Sequence, residues 1–360
     1  MKIYLRRRGA TVTGYGLVVG LISIVALASV TAVGDRTKGL FNVVGDNLNS
    51  VSSGQSAEQP QTCSNASVTL SHQMSVQSVS IPQNCNFVSV ILVGAGGAFG
   101  NTSGGSGPDA GRGGNGGVVT AVLDLSGVSS MTARIGQAGQ RATGSTTIGQ
   151  GGWPDGGNGG ERIPRTNSCW SSNGQSLGLT AGPSAGGGGR SELLLNGAIA
   201  LIAGAGGGGG SASGEGGDAG GLNGSDGETR NSTGGAGATG SSGGNGGSRG
   251  SFFCEGANEN GDGTGGTGSS GGDGGYGRTH VGGGGGGGLA GGGGAGGGAS
   301  TTGGGGGGSS FADSGNAAIL QSSLTATAER PDTAGQGGTD AAPTANDGRL
   351  VVTFSATLPD

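Results

Sequence analysis

The chain has 360 residues, of which 97 are glycine, with 31% hydrophobic, 3% aromatic and 11% charged residues and a net charge of −5. That apolar share is too small for a conventional side-chain core of this length. The acidic balance excludes a nucleic-acid binder, which needs basic stripes.

In chain order, the first element is an uncharged stretch from Ala10 to Val33 that follows Lys2 and Arg6 to Arg8. As a helix, its roughly 24 residues would be ~36 Å long, enough to cross a hydrocarbon core of ~30 Å. The preceding basic cluster predicts a cytoplasmic N-terminus with the remainder outside. A plain membrane anchor fits this stretch. So does a secretory signal cut after Val30-Thr31-Ala32. The junction itself supports a third reading. A short basic leader ends at Gly9, Tyr15 follows six residues on, and the apolar run continues to a tail containing Leu40, Phe41, Val43, Val44 and Leu48.

Over residues 6 to 48 the sequence resembles the Flp-type (type IVb, tight-adherence) pilins. The resemblance implies cleavage by a prepilin peptidase between Gly9 and Ala10, with Tyr15 as part of the processing signature. It also implies a helix over residues 10–48 that rests in the inner membrane and then packs with copies of itself or other pilins through the pilus assembly machinery. Gly16, Gly20, Ser23, Ala26, Ala28, Ser29 and Ala32 are small enough for close helix approach. One position departs from the family: Glu usually precedes the tyrosine, and here Gly14 does. That leaves both a shaft subunit and a minor or tip subunit open. Loss of the leader 1–9 would remove four positive charges and take the net charge from −5 to −9.

Residues 49–62 are polar and Ser/Gln-rich, as expected of a linker. The head, 63–360, begins at Cys63. An exported chain with four cysteines, Cys63, Cys85, Cys169 and Cys254, predicts two disulfides. Sequence proximity favours Cys63–Cys85 and Cys169–Cys254 among three possible pairings.

Val68, Leu70, Met74 and Val76 alternate with polar residues, with His72 on their side, which predicts a half-buried strand. The phase shifts at Gln77-Ser78, predicting a bulge or turn before Val79 and Ile81. Phe87 to Val93 is nearly continuous in apolar residues and predicts a strand buried on both faces. Val119, Ala121, Leu123 and Leu125 predict one buried face, and Met131, Ala133 and Ile135 another. Asn196-Gly197 between two apolar runs predicts a hairpin. In the last strand Leu350, Val352, Phe354, Ala356 and Leu358 share a face.

From Gly204 to Ser310 glycine dominates. A disordered linker is one expectation. The alternative is a bundle of extended three-residue-per-turn glycine helices joined by main-chain hydrogen bonds. Collagen is excluded because no strict G-X-Y period holds and there are nine prolines.

The head resembles the glycine-rich β-domains of bacterial and phage proteins, including phage tail-tip adhesins, and the glycine-rich region of the anaplastic lymphoma kinase receptor. The matching stretches are Val88–Gly97, Ala133–Gln140, Gly197–Gly210, Gly303–Phe311 and Asp347–Phe354. The resemblance implies a β-sandwich-like base carrying stacked glycine helices. The expected fold class is therefore a long N-terminal transmembrane or assembly α-helix plus a mainly-β glycine-rich head with a polyglycine bundle.

Catalytic signals are weak. G-x-G-x-x-G matches arise by chance in such a sequence, the lysines are Lys2 and Lys38 alone, and two histidines, His72 and His280, leave few choices of base. The cysteines lack zinc spacing. Asn258 to Gly263 faintly resembles a calcium loop, with Ser269 where the bidentate Glu belongs. The expectation is no enzyme, no cofactor and no metal. Trp153, Trp170 and Tyr276 are the candidate ligand-contact residues, scarce rigid aromatics among glycine; Phe252, Phe253 and Cys254 read as structural. The expected function is a pilus subunit that moves from the inner membrane to the cell surface, its head exposed for contact with surface glycans or other cells. The alternative is an exported or anchored glycine-rich adhesin outside any filament.

Overall fold

The computed structural model describes residues 63, 66–100, 111–142, 148–161, 184–211, 213–250, 260–277, 280–298, 301–325, 334–339 and 345–359. All of them belong to the unit Thr62–Asp360. Among the described residues ten strands form two five-stranded sheets with purely antiparallel pairing. They are β1 (Ser67–Ser71), β2 (Gln77–Val79), β3 (Phe87–Val93), β4 (Val118–Asp124), β5 (Met131–Arg134), β6 (Ser191–Leu195), β7 (Ala198–Ala203), β8 (Phe311–Ala312), β9 (Ile319–Thr325) and β10 (Arg349–Ser355). The first sheet runs β1-β10-β3-β4-β9 and the second β2-β5-β6-β7-β8.

The expected fold class is corrected here. The described residues contain no α-helix, and none of their helices is long and apolar enough to cross a membrane. The long N-terminal helix is therefore no part of the described fold; residues 10–48, on which it was expected, lie outside the described residues.

The two sheets share one core. Val88, Val90, Leu92, Val119, Leu123, Leu350, Val352 and Phe354 enter it from the first sheet, and Met131, Ala133, Leu193 and Leu201 from the second. Each large apolar side chain removed from water there contributes roughly 1.5–3 kcal/mol. The period-two patterns of β4, β5 and β10 follow this inner face. Asn196 and Gly197 have φ of 52° and 81°, the left-handed pair that a two-residue hairpin between β6 and β7 requires.

Three expectations change. Phe87 to Val93 is not buried on both faces: Ile91 is 37% exposed, because the outer face of the first sheet is open. Met74 and Val76, 71% and 50% exposed, are not strand residues. The alternation fails there because the chain leaves the first sheet after β1 and enters the second at β2, so the phase shift at Gln77-Ser78 marks a change of sheet. Ala356 and Leu358 are exposed beyond the end of β10.

Beyond the sandwich, glycine segments leave one strand and return to the next. After β3, the N–H groups of Gly94, Gly97 and Gly100 donate to the carbonyls of Gly117, Gly114 and Gly111 at 3.0, 2.9 and 2.9 Å. Those of Ala95 and Ala98 donate to Gly189 and Gly186. The same neighbour recurs every third residue, the repeat of polyproline-II-type helices, which cannot bond internally and must bond sideways.

Segment 282–287 shows the full pattern. Its N–H groups reach Gly275 and Gly272, Gly303 and Gly306, and Ala185 and Gly188. Its carbonyls accept from Ala295 and Gly292, Gly208 and Ala205, and Gly160 and Gly157. Each pair lies on a different segment, so the run has six neighbours. Packing this close leaves no room for side chains: a Cβ on Gly285 would collide with the Gly292 carbonyl. Ordering each glycine costs about 1–2 kcal/mol of backbone entropy, and a hydrogen bond returns ~0.5–1.5. The lattice persists because nearly every backbone group inside it is paired.

Candidate functional site

The lattice has two ends. At the near end Arg190, just before β6, bonds the Gly288 carbonyl and pairs with Asp155, and the lattice turns at Gly240 and Gly268, each with φ of 55°. At the far end Gly100 donates to the Gly111 carbonyl, Ala142 to Ser184, Gly277 to Glu161 and Gly298 to His280.

A buried cluster of charges lies at the near end. Glu192, on β6, is fully buried, with its carboxylate 2.7 Å from Arg134 of β5 and 3.1 Å from Arg190. Arg190 also lies 3.2 Å from Asp155 and donates to the Gly288 carbonyl at 3.1 Å. Ser270 Oγ donates to Asp155 at 3.2 Å. This chain of charges ties the second sheet to three lattice turns. It works by charge and distance, since the Glu192 oxygens and Arg190 Nε lack an aligned hydrogen-bond partner.

Sequence reasoning missed this cluster. The signal was Glu192 inside the apolar run ELLL, two residues after Arg190.

Hydroxyls and carboxylates splice the lattice where a carbonyl or N–H would go unpaired. Buried Ser310 Oγ accepts from Gly204 N–H at 3.1 Å and donates to the Gly220 carbonyl at 2.7 Å. Ser309 and Ser232 do the same between Ala290 and Gly240, and between Gly303 and Gly296. At the rim, Asp218, Asp226, Asp262 and Asp273 accept from the N–H groups of Asn115, Gly237, Arg249 and Asn158. Asp262, in the calcium-like stretch, is thus bonded to backbone, and among the described residues no three His, Cys, Asp or Glu converge.

The candidate ligand-contact residues are not brought together. Trp153 lies at the near end, its carbonyl accepting from Gln137 N–H at 2.6 Å and its ring 5.9 Å from that of His72. His72 itself bonds the Ile135 carbonyl through Nδ1 at 2.8 Å. Tyr276 lies at the far end, 42% exposed, its ring packed on Gly261. Six residues separate Tyr276 from near-end Ser270, ~19 Å at the rise of an extended helix. Trp170 lies outside the described residues, as do Gly9, Ala10 and Tyr15.

Cys63 and Cys85 form a disulfide with a Cα–Cα distance of 4.9 Å. Cys169 and Cys254 lie outside the described residues.

Three polar atoms at the far end are buried without a hydrogen-bond partner: Asn260 Oδ1, His280 Nδ1 and Thr302 Oγ1. Burial holds the His280 pKa below the ordinary histidine value. Neither a protein-family model nor a curated protein matches this chain.

Proposed function

We propose that this chain is a structural surface subunit that carries a stiff glycine-lattice head outside the cell. The observation that carries the reading is the lattice itself. A body whose interior is backbone bonded to backbone, with a segment such as 282–287 held on six sides, is suited to transmitting shape and force rather than to housing a reaction. The Cys63–Cys85 disulfide at the start of the head supports an oxidising destination. The uncharged stretch Ala10–Val33 behind its basic leader supports delivery and assembly of the type IVb pilin kind. In this reading a prepilin peptidase trims the precursor after Gly9 in the inner membrane, and the apolar stretch joins copies of the chain or other pilins in a filament.

Mass spectrometry of the mature N-terminus tests this. Ala10, with or without methylation, is expected; a start at Val33 overturns the pilin assignment.

Gly14, in place of the usual Glu, favours a second reading: an exported or anchored adhesin outside a filament, contacting glycans or other cells through the far end, where Tyr276 is exposed. Immunoelectron microscopy separates the two, since only the first gives fibres labelled along or at the tip by antibody to the head.

A further inference from the structure

We propose that the free edge of β9 is a self-association surface, pairing antiparallel with β9 of a second copy so that two five-stranded sheets continue as one. Among the described residues the sandwich has four edges: β1, β9, β2 and β8. An open edge invites another strand unless it is short, charged, prolyl or otherwise blocked. β2 and β8 have three and two residues. β1 follows the Cys63 disulfide, and its Ser71 carbonyl accepts the Gln77 side chain at 2.8 Å. Among the described residues β9 carries one such guard, the bulge at Leu320 close to its start. Its seven residues, ILQSSLT, include no charge and no proline, and Leu320 is 45% exposed. The irregularity opposite Val122/Leu123 is confined to one end, leaving Gln321–Thr325 in unbroken register with Val118–Val122.

The strand is also self-complementary. A two-fold axis through Ser322 sets Gln321 opposite Ser323 of the second copy and Ser322 opposite itself, with no like charges facing, and leaves the bulged Leu320 outside the regular ladder. Strands alternate in direction across the first sheet, so β1 and β9 run the same way. Head-to-tail joining of β1 to β9 would make a parallel ladder, less stable per residue, on an edge already hindered. The two-fold pairing is therefore favoured, and it closes as a dimer rather than running on as a fibre. Nothing in this pairing depends on how the chain is exported.

The test uses the full chain in mild detergent. Ser322→Cys is expected to form an intermolecular disulfide on mild oxidation, whereas Ser89→Cys, in the middle strand of the same sheet, is not. The double variant Gln321→Lys/Ser323→Lys places like charges opposite one another only in the dimer and is expected to weaken association by roughly tenfold. Gln321→Lys/Ser323→Glu restores it, because each Lys then faces a Glu of the second copy. Equal cross-linking of Ser322→Cys and Ser89→Cys overturns the proposal, as does equal association of the Lys/Lys and Lys/Glu variants.

Discussion

The Glu192 carboxylate, wholly enclosed, lies 2.7 Å from the Arg134 guanidinium directly across the β5–β6 pair. With Arg190 on its other oxygen, this carboxylate joins the second sheet to the lattice turns at Asp155 and Gly288. Removing one partner leaves a buried charge uncompensated. Glu192→Ala is expected to cost about 3–5 kcal/mol, a fall in melting temperature on the order of 10 °C. Thermal denaturation followed by circular dichroism measures it.

The lattice core predicts an unusual intolerance. Gly285→Ala adds a single methyl group, yet that group meets the Gly292 carbonyl. The expected loss is more than about 3 kcal/mol, at the level reserved for core disruption. Gly315→Ala, whose added methyl has only the Asp313 carboxylate nearby at 3.4 Å, is expected to change stability by less than ~0.5 kcal/mol. Denaturant titration of both variants checks the contrast.

Acid should loosen the far end. His280 is desolvated and favours its neutral form in the folded chain. At a pH below the ordinary histidine value of 6.5 the unfolded chain takes up a proton that the folded one resists. Its contribution is complete above that value and declines as pH falls below it. Unfolding midpoints between pH 8 and 5 are expected to drop, and His280→Gln to flatten that part of the slope. Asp124 acts at lower pH. The Ser126 backbone N–H, then its side chain, holds the carboxyl below its usual range, so its contribution is lost only as pH falls through the carboxylate range. Asp124→Asn removes that dependence.

The Cys63–Cys85 bridge closes a loop of sequence separation 22. By chain entropy, replacing both cysteines with serine is expected to destabilise the head by about 3 kcal/mol. Differential scanning calorimetry of the double variant reads the shift.

The sandwich was legible in the sequence wherever one face is buried. Leu350, Val352 and Phe354 alternate because the core lies on one side only, and Asn196-Gly197 announces its own hairpin. β9 was not legible: ILQSSLT lies at an edge, mostly exposed, so burial never imposed a pattern on it. The extent of the β1 pattern misled for a related reason, since Met74 and Val76 keep the alternation after the chain has left the sheet. The lattice was legible as composition but not as arrangement. Glycine carries no side chain to record which neighbour it meets, so the pairing of Gly284 with Ala185 and of Gly286 with Gly306 has no sequence signature. The Arg190–Glu192 cluster was hidden because isolated charges near a strand usually face water.

The run 282–287 has a consequence for the order of events in folding. Its partners are spread from Gly157 to Gly306. A chain emerging from its N-terminal side cannot harden segment by segment, because the central rod lacks a wall until Gly303 to Gly306 have been made. Such long-range closure is slow, and for this run it can begin only after the final glycines have been made. A truncated chain that stops short of them is not a smaller head but a slack one.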